Sequence, residues 1–90
     1  MTKRELLQEY NDLCKSKRVF LDGIYANSNK SEIENAIACL KCSDEVLAQY
    51  FTVVSLKYPN TAAAISKSDY RRHSFNRLYV YNTARLVLNN

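Results

Sequence analysis

The chain has one glycine, Gly23, and one proline, Pro59, in ninety residues. All-β folds need many tight turns, and tight turns draw on Gly, Pro, Asn and Asp for their special dihedrals. A chain this poor in both turn formers is expected to run in long helices. Aromatic and branched aliphatic residues are spread along the whole length, which argues against disorder. Ninety residues suffice for a single domain, 1–90, with one modest core. The expected fold is therefore all-α, a compact antiparallel bundle of four to five helices.

Helix signals recur along the chain. Thr2 and Glu5 form a T-x-x-E capping box. Behind it Leu6, Leu7, Tyr10, Leu13, Cys14, Phe20, Leu21 and Ile24 recur mostly at steps of three and four, one apolar helix face. This helix is expected to end near Asp22-Gly23, with Gly23 as a left-handed cap. Asn27 to Lys30 reads as a loop. Ser31 and Glu34 read as a second capping box, followed by Ile33, Ala36, Ile37 and Leu40. Ser43 with Asp44 and Glu45 reads as another N-terminus, either of a separate helix or beyond a kink. Pro59 ends that run at Tyr58. Asn60 or Thr61 can cap a short piece through Ile65, and Ser68 or Asp69 a last element over about 69–88.

On that last element, Phe75, Leu78, Tyr79, Asn82 and Leu86 share one side at 100° per residue, and Tyr70, Arg77, Tyr81, Ala84 and Leu88 lie roughly opposite. The segment is apolar nearly all round, so it is expected to be the most buried helix of the bundle. The alternative is an α+β fold with a C-terminal β-hairpin at about 78–88, because Leu78–Tyr81 and Arg85–Leu88 have high strand propensity.

Charge is distributed unevenly. Residues 57–90 carry six bases and one acid, Asp69; residues 1–56 carry seven bases and eight acids. The formal charges are thus +5 and −1, which sum to +4. Three cysteines are a poor disulfide framework and point to a reducing, cytoplasmic setting. The N-terminus has two bases without an apolar run behind them, and no stretch reaches the length of a membrane span. The chain reads as a complete small gene product.

No motif marks an enzyme. Cys39 and Cys42 form a CxxC placed at the end of a helix, whereas redox pairs use a helix start. They and Cys14 are expected to be core residues, with no metal and no cofactor. His73, the one histidine, has Asp69 four residues earlier as a local helix partner, and Ser74 beside it faces elsewhere. The remaining candidate is a basic–aromatic surface of Arg71, Arg72, Arg77 and Arg85 with Tyr70 and Tyr81, since guanidinium groups fork onto carboxylates and phosphates and rings stack on bases. The bland reading is a solvated helix face whose arginines pair with the acids of residues 1–56. Tyr10 and Tyr50 are expected in the core. The expected function is a small regulatory or inhibitory interaction protein that docks an acidic protein partner, as phage or plasmid inhibitors and immunity proteins do. The alternative is a nucleic-acid-binding regulator using the same surface. A homodimer through the last helix is a further option, and no membrane or small-molecule partner is indicated.

Overall fold

The computed structural model describes residues 1–89 and contains five α-helices: α1 (Lys3–Lys17), α2 (Lys30–Lys41), α3 (Asp44–Lys57), α4 (Pro59–Ile65) and α5 (Ser74–Leu88). A 3-10 turn, Tyr70–Arg72, precedes α5. Among the described residues there is no β-ladder, and residues 78–88 are helical, so the hairpin does not form. A radius of gyration of 13.0 Å is that of a packed chain of about this length.

Three of the helix starts use side-chain caps. Thr2 and Glu5 make the expected reciprocal capping box, and Ser43 accepts the Val46 N–H to open α3. At α2 the cap is Asn29, which accepts from Glu32 N, and Ser31 instead donates to the Asn29 side chain from within the helix. The expected Ser31 box is therefore displaced by two residues, because Asn is an equally good cap and comes first. Cys42 is extended between α2 and α3, which makes them separate helices. Pro59 both ends α3 and occupies the first turn of α4, where its missing N–H costs nothing, so no Asn60 or Thr61 cap is used.

α1 stops five residues earlier than expected. Arg18 adopts φ 57°, ψ 45°, its N–H bonds Lys15 O, and Val19 N bonds Cys14 O. These two bonds are those of a Schellman motif, with Val19 buried beside Cys14 as its hydrophobic partner. Gly23 is left-handed too, at φ 80°, but it serves the following loop.

The helices pair like end with like end, which corrects the antiparallel expectation. Lys17 reaches Cys42 O at the C-terminal ends of α1 and α2, and Lys41 at the end of α2 meets Glu9 in the middle of α1. Asp44 meets Arg77 at the starts of α3 and α5, and Tyr50 meets Tyr81 further along. α2 and α5 pair opposite ends, as expected for an antiparallel bundle, through Arg77–Cys39 and Asn35–Asn82. Neighbours of like direction require long connections. The chain supplies them as the loop 18–29 and as α4 with the 3-10 turn.

Two apolar clusters result. Leu6, Tyr10, Cys14, Val19, Ile33, Ala36, Ile37 and Leu40 form the first, between α1 and α2. Leu47, Val54, Ala62, Val80 and Ala84 form the second, between α3, α4 and α5. α5 serves both, since Leu78 packs on the first while Val80 and Ala84 lie in the second. The buried stripe of α5 is Ser74, Arg77, Val80 and Ala84; Phe75 and Leu86 point to solvent. α2, not α5, is the most buried helix, with Ile33, Ala36, Ile37, Cys39 and Leu40 inside.

Candidate interaction surface

Arg77 is the most consequential of the candidate residues, and it is 0 % exposed. Its Nε donates to Cys39 O, its Nη2 to Cys42 O, and its Nη1 to both Asp44 Oδ1 (2.9 Å) and Arg71 O. Two of those acceptors are carbonyls at the C-terminal end of α2, where the helix carries partial negative charge, and Cys39 O accepts the Cys42 N–H as well. The carboxylate stands in the first turn of α3, where the helix favours an anion. Arg77 thus joins the end of α2, the start of α3 and the 3-10 turn. It belongs to the interior, so it leaves the proposed surface. A guanidinium fork reaches several carbonyls and a carboxylate at once, which makes its burial tolerable.

The other candidates stay nearer the surface, each with an internal partner. Arg71 pairs with Asp69 at 3.1 Å, and Arg72 with Asp44 at 3.4 Å. Arg77 beside Asp44 holds its carboxyl below the usual carboxylate range, chiefly through the hydrogen bond, with Arg72 and Arg71 adding to it. Tyr70 stacks on Phe51 with centroids 4.6 Å apart, and burial pushes its phenol up. Arg85 lies over the Tyr81 ring at 5.0 Å and donates to Asn35 Oδ1. Tyr81 also meets Tyr50, which packs on the second cluster as Tyr10 packs in the first. Arg71, Arg72, Tyr70 and Arg77 therefore gather around Asp44, while Tyr81 and Arg85 lie one and two turns further along α5.

The fold adds residues that the sequence reading did not bring to this surface. Phe20 N donates to Arg72 O at 2.6 Å, and Ser74 N donates to Phe20 O at 2.9 Å, a parallel bridge between the loop after α1 and the start of α5. Asp22 accepts from Phe75 N through its carboxylate and from Tyr10 OH through its carbonyl, and Tyr10 shares a hydrogen bond with Ser74 Oγ. Through this latch Phe20 is docked on the backbone of Arg72, and the exposed Arg18 lies two residues before Phe20 in the chain. Phe20 itself is 65 % exposed and tilts against His73 at 5.8 Å. The outcome is an exposed ring held beside His73 on the backbone of the 3-10 turn that carries Arg71 and Arg72. The Asp-Gly pair at 22–23 was the available signal, since it marks a turn rather than a helix end.

Cys14 and Cys39 are buried and Cys42 is half-buried, all as free thiols. Burial pushes Cys39 up to about 12 and raises the other two thiols. His73 precedes α5 and makes no side-chain cap. Among the described residues no three His, Cys, Asp or Glu side chains are grouped to hold a metal ion, and no helix is long and apolar enough to cross a membrane. No family model, curated protein or solved structure matches the chain.

Proposed function

We propose that the chain is a non-enzymatic regulatory or inhibitory interaction protein that docks an acidic protein partner with the surface formed by Phe20, Arg71 and Arg72. The supporting observation is the latch. Two backbone hydrogen bonds hold Phe20 in the open against the turn that carries Arg71 and Arg72. A large ring ordered in solvent beside arginines is the composition of an interface hot spot, and its ordering cost is already met in the free protein. Arg71 and Arg72, each paired with one aspartate but half-exposed, lie at the rim, where an acidic partner can share them.

Nucleic acid is the weaker reading. Arg71 and Arg72 are each already paired with an aspartate, which leaves few free cations for a run of phosphates, whereas the exposed Phe20 suits a protein surface. Oligonucleotide binding remains the decisive alternative outcome of the test.

The test compares partner capture from the native proteome by the wild-type protein and by a Phe20→Ser/Arg72→Ser variant. Fluorescence anisotropy with DNA and RNA oligonucleotides at several salt concentrations runs beside it. The reading holds if a partner retained by the wild type is lost by the variant while oligonucleotides bind weakly. Tight oligonucleotide binding along a steep log–log salt line, lost in the same variant, transfers the surface to phosphates.

A further inference from the structure

We infer that Asp22–Gly23 is a site of spontaneous covalent modification: the pair closes to a cyclic imide and reopens as isoaspartate, at a rate set by opening of the latch between this loop and α5. Gly23 N attacks Asp22 Cγ. The N–Cγ bond forms, and the Gly23 amide proton leaves with the carboxyl hydroxyl as one water. A second water then opens the imide. Addition at Cγ restores aspartate, whereas addition at the backbone carbonyl of residue 22 leaves the main chain running through Cγ. The net change in mass is zero, and solvent water is the only reagent.

The fold itself requires this pair. Gly23 has φ 80°, and a methyl group added to it comes within 3.2 Å of the Phe75 ring, so no larger residue fits without strain. The Asp22 carboxylate accepts the Phe75 N–H, and its carbonyl accepts Tyr10 OH at 3.2 Å. A short carboxyl side chain therefore stands next to the one glycine nitrogen in the chain, the least hindered of its amides. Asp12, Asp44 and Asp69 precede Leu13, Glu45 and Tyr70, whose side chains crowd the attacking nitrogen.

A second pair in the same loop, Asn27–Ser28, has comparable local chemistry but a different setting. Ser28 is buried, its N–H donates to Tyr25 O at 3.0 Å, and its Oγ accepts the Tyr25 N–H. That nitrogen is occupied. Gly23 N–H has no hydrogen-bond partner among the described residues. At this pair the restraint lies on the carboxyl, which Phe75 N–H holds while the latch is closed. Reaction thus follows local opening. The product cannot close again in the same way. Isoaspartate adds a methylene to the main chain and carries its free carboxylate on Cα, so Phe75 N–H and Tyr10 OH both lose the acceptors they had. Each opening that reacts is removed from the native population for good.

The test keeps the folded full chain in buffer at physiological temperature for several weeks, beside the urea-unfolded chain and the folded Tyr10→Phe variant. Peptide mapping with electron-transfer fragmentation locates isoaspartate, and circular dichroism confirms the fold. Isoaspartate is expected at residue 22 of the folded chain, forming more slowly than in urea. Tyr10→Phe should accelerate it about fivefold, the worth of one hydrogen bond lost from the latch. In the purified isoaspartate form the Ser74 and Phe75 amides should exchange faster than in the parent. Isomerisation at the unfolded rate overturns the proposal, as does its absence from both folded proteins, a Tyr10→Phe rate equal to the parent's, modification at Asn27 in place of Asp22, or unchanged exchange at Ser74 and Phe75. The chemistry does not depend on what Phe20 docks, so it can fail while the docking surface stands, and the reverse.

Discussion

The carboxylate of Asp22 accepts the backbone N–H of Phe75, 53 positions away in the chain, and so caps a helix whose own N-cap residue supplies no side-chain bond. α5 starts where it does because the loop after α1 is docked against it. Phe20 O takes the Ser74 N–H and Asp22 takes the next, so two of the four unpaired donors at this helix start are met from outside the local sequence. Asp22→Ala is expected to cost about 1 kcal/mol, the usual worth of such a cap. Chemical denaturation gives the loss, and hydrogen exchange should show faster opening of residues 19–25 and 74–76 than of α2.

Two left-handed residues make opposite forecasts. Gly23 sits at φ 80°, and an added methyl group there comes within 3.2 Å of the Phe75 ring. Gly23→Ala is expected to destabilise by about 1–2 kcal/mol from the backbone alone. Arg18 already bears that backbone cost at the end of α1. Arg18→Gly is expected to raise the melting temperature, with a gain up to about 1 kcal/mol.

Removing Arg77 takes four hydrogen bonds from this junction, although Asp44 keeps Arg72, Cys42 O keeps Lys17 and Cys39 O keeps the Cys42 N–H. Arg77→Ala is expected to cost about 2–5 kcal/mol, chiefly because a fully buried side chain is replaced by a cavity while Asp44 stays partly solvated. Arg77→Lys should recover only part of this, because one ammonium group cannot reach acceptors on α2, α3 and the 3-10 turn together. Urea denaturation of the three proteins orders them.

Acid should act through Asp44. Its folded carboxyl releases its proton at lower pH than the ordinary value of 3.8, first because of the Arg77 hydrogen bond. The unfolded chain therefore binds that proton more readily, and acid favours unfolding. This contribution is complete above the ordinary carboxylate range and is lost as pH falls through the folded value. Asp44→Asn is expected to lower neutral-pH stability by about 1–2 kcal/mol, the modest end because solvent reaches the carboxylate. It should also flatten the loss of stability below about pH 4.

Thiol labelling should be graded. Cys42 is half-buried, whereas Cys14 and Cys39 are enclosed, and burial disfavours all three thiolates. Iodoacetamide is expected to modify Cys42 first, with Cys39 reacting only on unfolding; mass spectrometry of timed digests reads the order.

Local chemistry made much of this fold legible. The Thr2–Glu5 box, the Ser43 start and the stop at Pro59 each depend on a few adjacent residues, and each is where the spacing places it. The end of α1 was not legible, because the Schellman turn uses Arg18 where glycine is usual. The orientation of α5 was hidden for a related reason. An apolar stripe and a stripe containing Arg77 compete for the interior, and composition favours the former. Arg77 goes inside because carbonyls from α2 and a carboxylate from α3 converge there, a gathering that exists only after the chain has folded. The place of Phe20 against the turn of Arg71 and Arg72 depends on the same long-range docking.

The bonds of Arg77 span residues 39 to 77 and include both ends of that interval. They can close only when α2, α3 and the 3-10 turn have all arrived, so they are expected to be unformed in the folding transition state. Substitutions at this position should therefore leave the refolding rate nearly unchanged and accelerate unfolding instead. The guanidinium acts as a clasp fastened after assembly, and what it governs is how long the native molecule lasts once formed.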